Sequence, residues 1–139
     1  AVSWLGEHIT RQSGLPVDVY GSGEGIELNE GVRVVVFRSI QELLINAVKH
    51  SGASRVSVRI SRHGADDVRV VVEDNGAGFV LPERGWHPSA ASGFGLFSLR
   101  ERIGHLGGTV EIESGPGRGT KVVLTVPGRP RSPGEEARG

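Results

Sequence analysis

The run Val70-Val71-Val72-Glu73-Asp74-Asn75-Gly76-Ala77-Gly78-Phe79 constrains this chain more than any other, because unbroken β-branched residues lead straight into an acid and a glycine-rich turn. Such side chains are stiff at χ1 and suit the pleated surface of a strand. Three consecutive valines suit a strand covered on both faces. Asn75-Gly76 ends it, since both residues tolerate turn conformations with positive φ. A buried strand thus stops with a carboxylate at its mouth. Asp74 can accept two hydrogen bonds from an exocyclic amine or an amide, and glycines at 76 and 78 leave room for a flat ligand beside the backbone. Read alone, the same residues also describe an ordinary Asp-Asn-Gly hairpin turn.

At 139 residues the chain fits one domain able to bury roughly 70% of its extended surface. Sixteen Lys and Arg balance sixteen Asp and Glu, so net charge gives no reason to expect nucleic acid as a partner, and any bound anion must be held locally. The absence of cysteine excludes a disulfide framework or a thiolate metal site and fits a reducing cytoplasm. His8, His63 and His105 show no metal-ligand spacing. No apolar run approaches the ~20 residues of a membrane span, so no direct membrane contact is expected of this fragment, although its parent can be membrane-anchored. With no methionine even at position 1, the chain reads as a piece of a longer protein.

Trp4, Leu5, His8 and Ile9 recur at helical spacing before Ser13-Gly14, a first helix. Leu15 to Tyr20 alternates as a strand, and Pro16 favours an edge position. From Asn29, a candidate N-cap, to His50 runs the longest helical pattern, with Phe37, Ile40, Leu44, Ala47 and Val48 turned to a sheet. Glu42, Asn46, Lys49 and His50 share the opposite arc, which projects a carboxylate, an amide and a cation together. Val56, Val58 and Ile60 alternate in the next strand, and His63 to Asp67 forms the loop into the valine strand. Periodicity is lost through residues 80–92, a length at which structureless loops usually carry function, and this segment reads as a lid. Gly93-Phe94-Gly95 then opens a helix with Leu96, Leu99, Ile103 and Leu106 on one face and Gly107-Gly108 at its end. Two strands follow, Thr109 to Ser114 and Thr120 to Pro127. Residues 1–128 are therefore expected to fold as one α+β sandwich, a mixed and mostly antiparallel sheet with helices on one face, and residues 129–139 to form a disordered tail.

Three polar elements converge on this plan: the Glu42/Asn46/Lys49 arc, Asp74 with its glycines, and the Gly93-Phe94-Gly95 turn. A glycine-bearing helix N-terminus suits phosphate, because its unpaired N–H groups and positive dipole end favour an anion. An amide such as Asn46 offers a neutral oxygen that magnesium accepts alongside phosphate oxygens and water.

Taken together, these segments resemble the ATP-binding catalytic domains of two-component sensor histidine kinases, in the superfamily that includes gyrase and MutL. Gln41 to His50 is similar to the N box, Glu73 to Phe79 to the first glycine box, and Gly93 to Leu96 to the second. The terminal Gly117-Arg118-Gly119-Thr120 fits as well, so the likeness covers almost the whole chain, and Gly95 to Arg102 is similar to the subfamily that signals to NarL-like regulators. The resemblance implies a Bergerat-type ATP-binding fold with ATP and Mg2+ as cofactors. By that likeness Asp74 holds the adenine amino group, Gly76 and Gly78 let the base approach, and Thr120 lies near it through water. Asn46 ligates magnesium, Lys49 and the Gly93/Gly95 backbone contact phosphate, and Phe94, Leu96 and His50 flank the nucleotide. Glu42 is implied to activate water, as in the hydrolytic relatives, or, as in the kinases, to organise the metal and its waters.

The implied function is transfer of the ATP γ-phosphoryl group to a histidine on a separate dimerisation domain of the same cytoplasmic kinase, then to a NarL-like response regulator. No His-Asp or His-Glu pair sits in a long helix here, so the fragment, expected to be a monomer, should bind nucleotide without phosphorylating itself. The same pocket also serves an ATPase, an anti-sigma-type serine kinase or a non-catalytic nucleotide-dependent module. Lys49 equally reads as a solvated charge and His50 as a helix-end residue favoured by the dipole, while Arg100, Glu101 and Arg102 read as solvated or salt-bridged.

Overall fold

The computed structural model describes residues 2–21, 28–50, 52–64, 67–76, 96–115 and 117–128. In chain order these give α1 (Val2–Ser13), β1 (Val17–Tyr20), α2 (Glu30–His50), β2 (Val56–His63), β3 (Asp67–Asp74), α3 (Leu96–His105), β4 (Thr109–Ser114) and β5 (Thr120–Pro127). The strands form one five-stranded sheet in the order β1-β2-β3-β5-β4, parallel between β1 and β2 and antiparallel elsewhere. Both expectations about β1 meet the structure at this edge. It is an edge strand, but it begins at Val17, because Pro16 has no N–H to give and its carbonyl instead accepts from Val56 at 3.1 Å.

Helix ends are set by local chemistry. Asn29 caps α2 through a 2.9 Å bond from Gly31 N–H to its Oδ1, and its own N–H donates to the Gly128 carbonyl at 2.7 Å, which ties the helix start to the end of β5. At the end of α3, Gly107 donates to Gly104 and Gly108 to Ile103, the paired bonds of a Schellman motif, with Gly107 at φ 83°. The helix stop at Gly107-Gly108 therefore lies where the sequence places it. α1 is joined to β1 by the Thr10 hydroxyl, which donates to the Gly6 carbonyl and accepts from Val17 N–H.

The three helices among the described residues lie in one layer: α2 packs on β2 and β3, with α1 and α3 beside it over β1 and β4. The core is where that layer meets one face of the sheet, with Val32, Val36, Ile40, Leu43 and Leu44 of α2 against Val58, Val70, Val72, Val122 and Leu124. Alternation along β3 is clean, with Val68, Val70 and Val72 buried while Arg69 and Glu73 are exposed and Val71 is only half-buried. Two expectations are corrected here. The valine strand is covered fully on one face only, since Val71 points away from the helices. Val48 is exposed, and Val36 and Leu43 take the core positions, because the buried stripe drifts around a helix of 21 residues. The β2–β3 turn is also tighter than expected, because His63 and Asp67 still pair.

Candidate functional site

The sheet register gathers a polar row at one end of the molecule. Val56, Asp74, Thr120 and Ser114 lie side by side across β2, β3, β5 and β4. Directly opposed residues of antiparallel strands project to the same face. The next rows inward, through Val72 and Val122 and then Val70 and Leu124, are buried against the helices, so period-two alternation puts Asp74, Thr120 and Ser114 on the helix-covered face.

Connectivity brings the helices to the same end. Residues 51–55 alone join α2 to Val56, the partner of Asp74, so the last turns of α2, with Asn46 and Lys49, lie at this end of the sheet. The chain leaves α3 for β4 at the opposite end, where Thr109 pairs with Thr125, so α3 begins on the Asp74 side. The structure thereby brings Glu42, Asn46, Asp74, Gly76, Thr120 and the backbone of Leu96 into one region. Asn46 is half-buried. Gly78, Gly93, Phe94 and Gly95, the lid at 80–92 and the tail at 129–139 lie outside the described residues, as do the side chains of Lys49, His50 and Leu96.

Asp74 is held from both sides. Its Oδ1 accepts from Gly76 N–H at 2.8 Å, the turn that sequence reasoning attached to Asn75-Gly76. Asn75 does more than turn the chain: its Oδ1 accepts from Ser54 and Arg55 N–H, both at 3.0 Å, and its Nδ2 donates to Ser54 Oγ at 2.8 Å. These bonds fasten the end of β3 to the loop leaving α2. Replacing Asn75 with Ala removes all three and should cost roughly 1–2 kcal/mol in chemical denaturation. An unchanged midpoint would show that the fastening is not needed.

On the other side, Gly119 sits at φ 72° with its backbone against Asp74, where an added Cβ would stand 2.1 Å from the Asp74 carbonyl oxygen. Burial pushes the Asp74 carboxyl above its ordinary value, the N–H groups of Gly76 and Thr120 pull it back, and the neighbouring Glu73 adds a smaller upward push. What results is a half-desolvated acceptor at the sheet's rim. A carboxylate has about four lone-pair sites, so two backbone donors leave it able to take an amine from a ligand.

Three contributors escaped the sequence reading. Glu42 forms an ion pair with Arg102 of α3, which joins the two helices flanking the site, and Arg102 Nε is buried with no hydrogen-bond partner among the described residues. The salt-bridged alternative for Arg102 holds, but its partner lies 60 positions away and no local pattern announces it. Ser114, a hydroxyl at the end of an edge strand, carries no motif either. Gly119 enters the sequence reading only within the Gly117-Arg118-Gly119-Thr120 likeness, with no sign of its approach to Asp74.

Comparison with known proteins shows the family and the fold. The chain is 35% identical over 123 residues to the sensor histidine kinase LiaS of Bacillus subtilis, covering 88% of this chain and 32% of that protein. It is 41% identical over 102 residues to the histidine-protein kinase/phosphatase UhpB of Salmonella typhimurium, covering 73% of this chain and 19% of that one. It thus spans a third or less of the length of these relatives. Among solved structures, the blue-light activated histidine kinase of Erythrobacter litoralis superposes with a TM-score of 0.73 at 23% identity, over 91% of this chain and 40% of that chain. The mycobacterial sensor histidine kinase MprB gives 0.63 at 22% identity, over 94% and 93%. Because residues 31–130 match the histidine kinase-, DNA gyrase B-, and HSP90-like ATPases, the span that holds the polar row and both flanking helices, the chain belongs to that family.

Proposed function

We propose that this domain binds Mg-ATP at the Asp74 end of the sheet and presents its γ-phosphate to a histidine on the dimerisation domain of its parent sensor kinase. The observation that carries the reading is the row Asp74-Thr120-Ser114 on the helix-covered face, at the end where α2 finishes and α3 begins. Asp74 takes the adenine amino group, Gly76 and Gly78 admit the ring, and Thr120 meets the base. Lys49 and the residues from Gly93 to Leu96 hold the phosphates, with Phe94 and His50 flanking the nucleotide.

The donor chemistry fits magnesium. That ion keeps several waters and takes few protein ligands beside phosphate oxygens, which matches a single amide, Asn46, on the last turns of α2. When bound, it would neutralise charge on the phosphate oxygens as the phosphoryl group moves. Glu42, paired with Arg102, orders water nearby. In the transfer, an imidazole nitrogen bonds to phosphorus while the bridging oxygen leaves with ADP, so positioning supplies most of the catalysis. The phosphohistidine then serves a NarL-like response regulator. We assign the fragment to the cytoplasm as a monomer, with no nucleic acid among its partners; among the described residues no helix is long and apolar enough to cross a membrane.

Incubating the chain and its parent dimerisation domain with γ-labelled ATP and magnesium should give an acid-labile label on that domain, and none on the chain alone. Acid-stable label would point to a serine kinase, and release of free phosphate without label to an ATPase. Asn46→Asp should weaken magnesium-dependent binding more than metal-free nucleotide binding.

A further inference from the structure

Hydroxyl groups have one proton each, and a carbonyl neighbour, which can only accept, restricts how two hydroxyls at the end of the sheet can use theirs. Ser114 Oγ donates to the Gly119 carbonyl at 3.1 Å, and lies 2.9 Å from Thr120 Oγ1. With its proton committed to Gly119, Ser114 can only accept from Thr120, so the Thr120 proton is committed in turn. What Thr120 retains is lone pairs. Asp74, opposite Thr120 on the same face, is an acceptor as well.

We propose that Ser114 is a positioning residue for base choice: by taking the Thr120 proton, it leaves the row Asp74-Thr120 with acceptors only, a surface that receives a 6-amino purine and rejects a 6-oxo purine. The inference rests on the nucleotide reading above and deepens it. A 6-amino group brings two N–H donors, enough for a carboxylate and a hydroxyl oxygen, directly or through one water. A 6-oxo group brings lone pairs against lone pairs. Asp74 alone already disfavours it, but a hydroxyl that could turn would relieve part of the penalty by donating to the oxo group. Ser114 removes that freedom. Its bond to Gly119 matters for the same reason, because it makes the direction of the Ser114–Thr120 bond a consequence of the turn's backbone.

The test is calorimetric titration of the chain with ATP and with GTP in magnesium. Ser114→Ala leaves Thr120 able to donate, so the preference for ATP should narrow by about 5- to 10-fold, mainly through tighter GTP binding. Ser114→Thr, which restores a hydroxyl in a strand, should recover the wild-type ratio. In a Thr120→Val background Ser114→Ala should change the ratio no further, since the effect runs through that hydroxyl. If ATP binds wild type and Asp74→Asn weakens it, but Ser114→Ala leaves the ratio unchanged or acts equally in the Thr120→Val background, the polarity proposal fails and the nucleotide reading stands. If wild type binds neither nucleotide, both fall.

Discussion

Asp74→Asn should abolish most nucleotide affinity while leaving the fold intact. The substitution keeps an oxygen for Gly76 N–H but turns the second acceptor into a donor, so the ligand's amine meets an N–H. Losing a hydrogen bond to a charged acceptor costs about 1.5–3 kcal/mol, or roughly 10- to 150-fold in Kd. Stability should move little. The carboxyl sits above its ordinary value chiefly through burial, so it contributes stability when protonated, and that contribution is lost as pH rises through the raised value. At neutral pH the ionised group is a cost that Asn relieves, which offsets the lost bond to Thr120. The melting temperatures of wild type and variant should therefore agree within the few degrees that 1 kcal/mol represents, with wild type gaining on the variant as pH falls. Nucleotide binding by wild type should weaken over the same interval. An Asn variant that binds ATP as tightly as wild type would remove Asp74 from the pocket.

Gly119→Ala should be among the most damaging single-methyl changes in the described chain. Its φ of 72° already disfavours any side chain, by about 1–2 kcal/mol. The new Cβ would also stand 2.1 Å from the Asp74 carbonyl oxygen and 3.2 Å from Asn75 Cα, both backbone atoms that cannot swing aside. We expect a loss of about 2–4 kcal/mol, or roughly 6–15 °C in Tm for a chain of this length, together with weakened nucleotide binding, because β3 must shift at Asp74. Gly117→Ala is the matched control, since its φ is 75° but nothing lies within 4 Å of the added atom. Equal melting temperatures for the two variants would show that φ alone matters and that the close approach to Asp74 does not.

How far these features are legible in the sequence depends on how local their causes are. Asn29 as a cap, Gly107-Gly108 as a stop and the alternation of β2 rest on neighbours within a few residues, and the structure places them as the residues indicate. The three ordered boxes made the family recognisable. Val71 and Val48 misled because both are apolar, and which apolar residue is buried depends on the register and roll of an element against the rest. The Arg102–Glu42 pair and the Ser114–Thr120 bond were out of reach for the same reason: each joins elements whose relative placement only the assembled sheet and helix layer determine.

The Schellman turn that ends α3 has a mechanical consequence. At Gly108 an added Cβ would lie 2.5 Å from the Thr125 carbonyl and 2.9 Å from Ile103 Cγ2, so the helix is clamped to β5 at its far end. A rod fastened at one tip can reorient only by swivelling there. Across 10 residues, about 15 Å of helix, a 10° swivel would carry the opposite tip by about 2.6 Å, nearly the length of a hydrogen bond, toward or away from Asp74. The Arg102–Glu42 contact, partway along that arm, is the tether such a stroke must stretch.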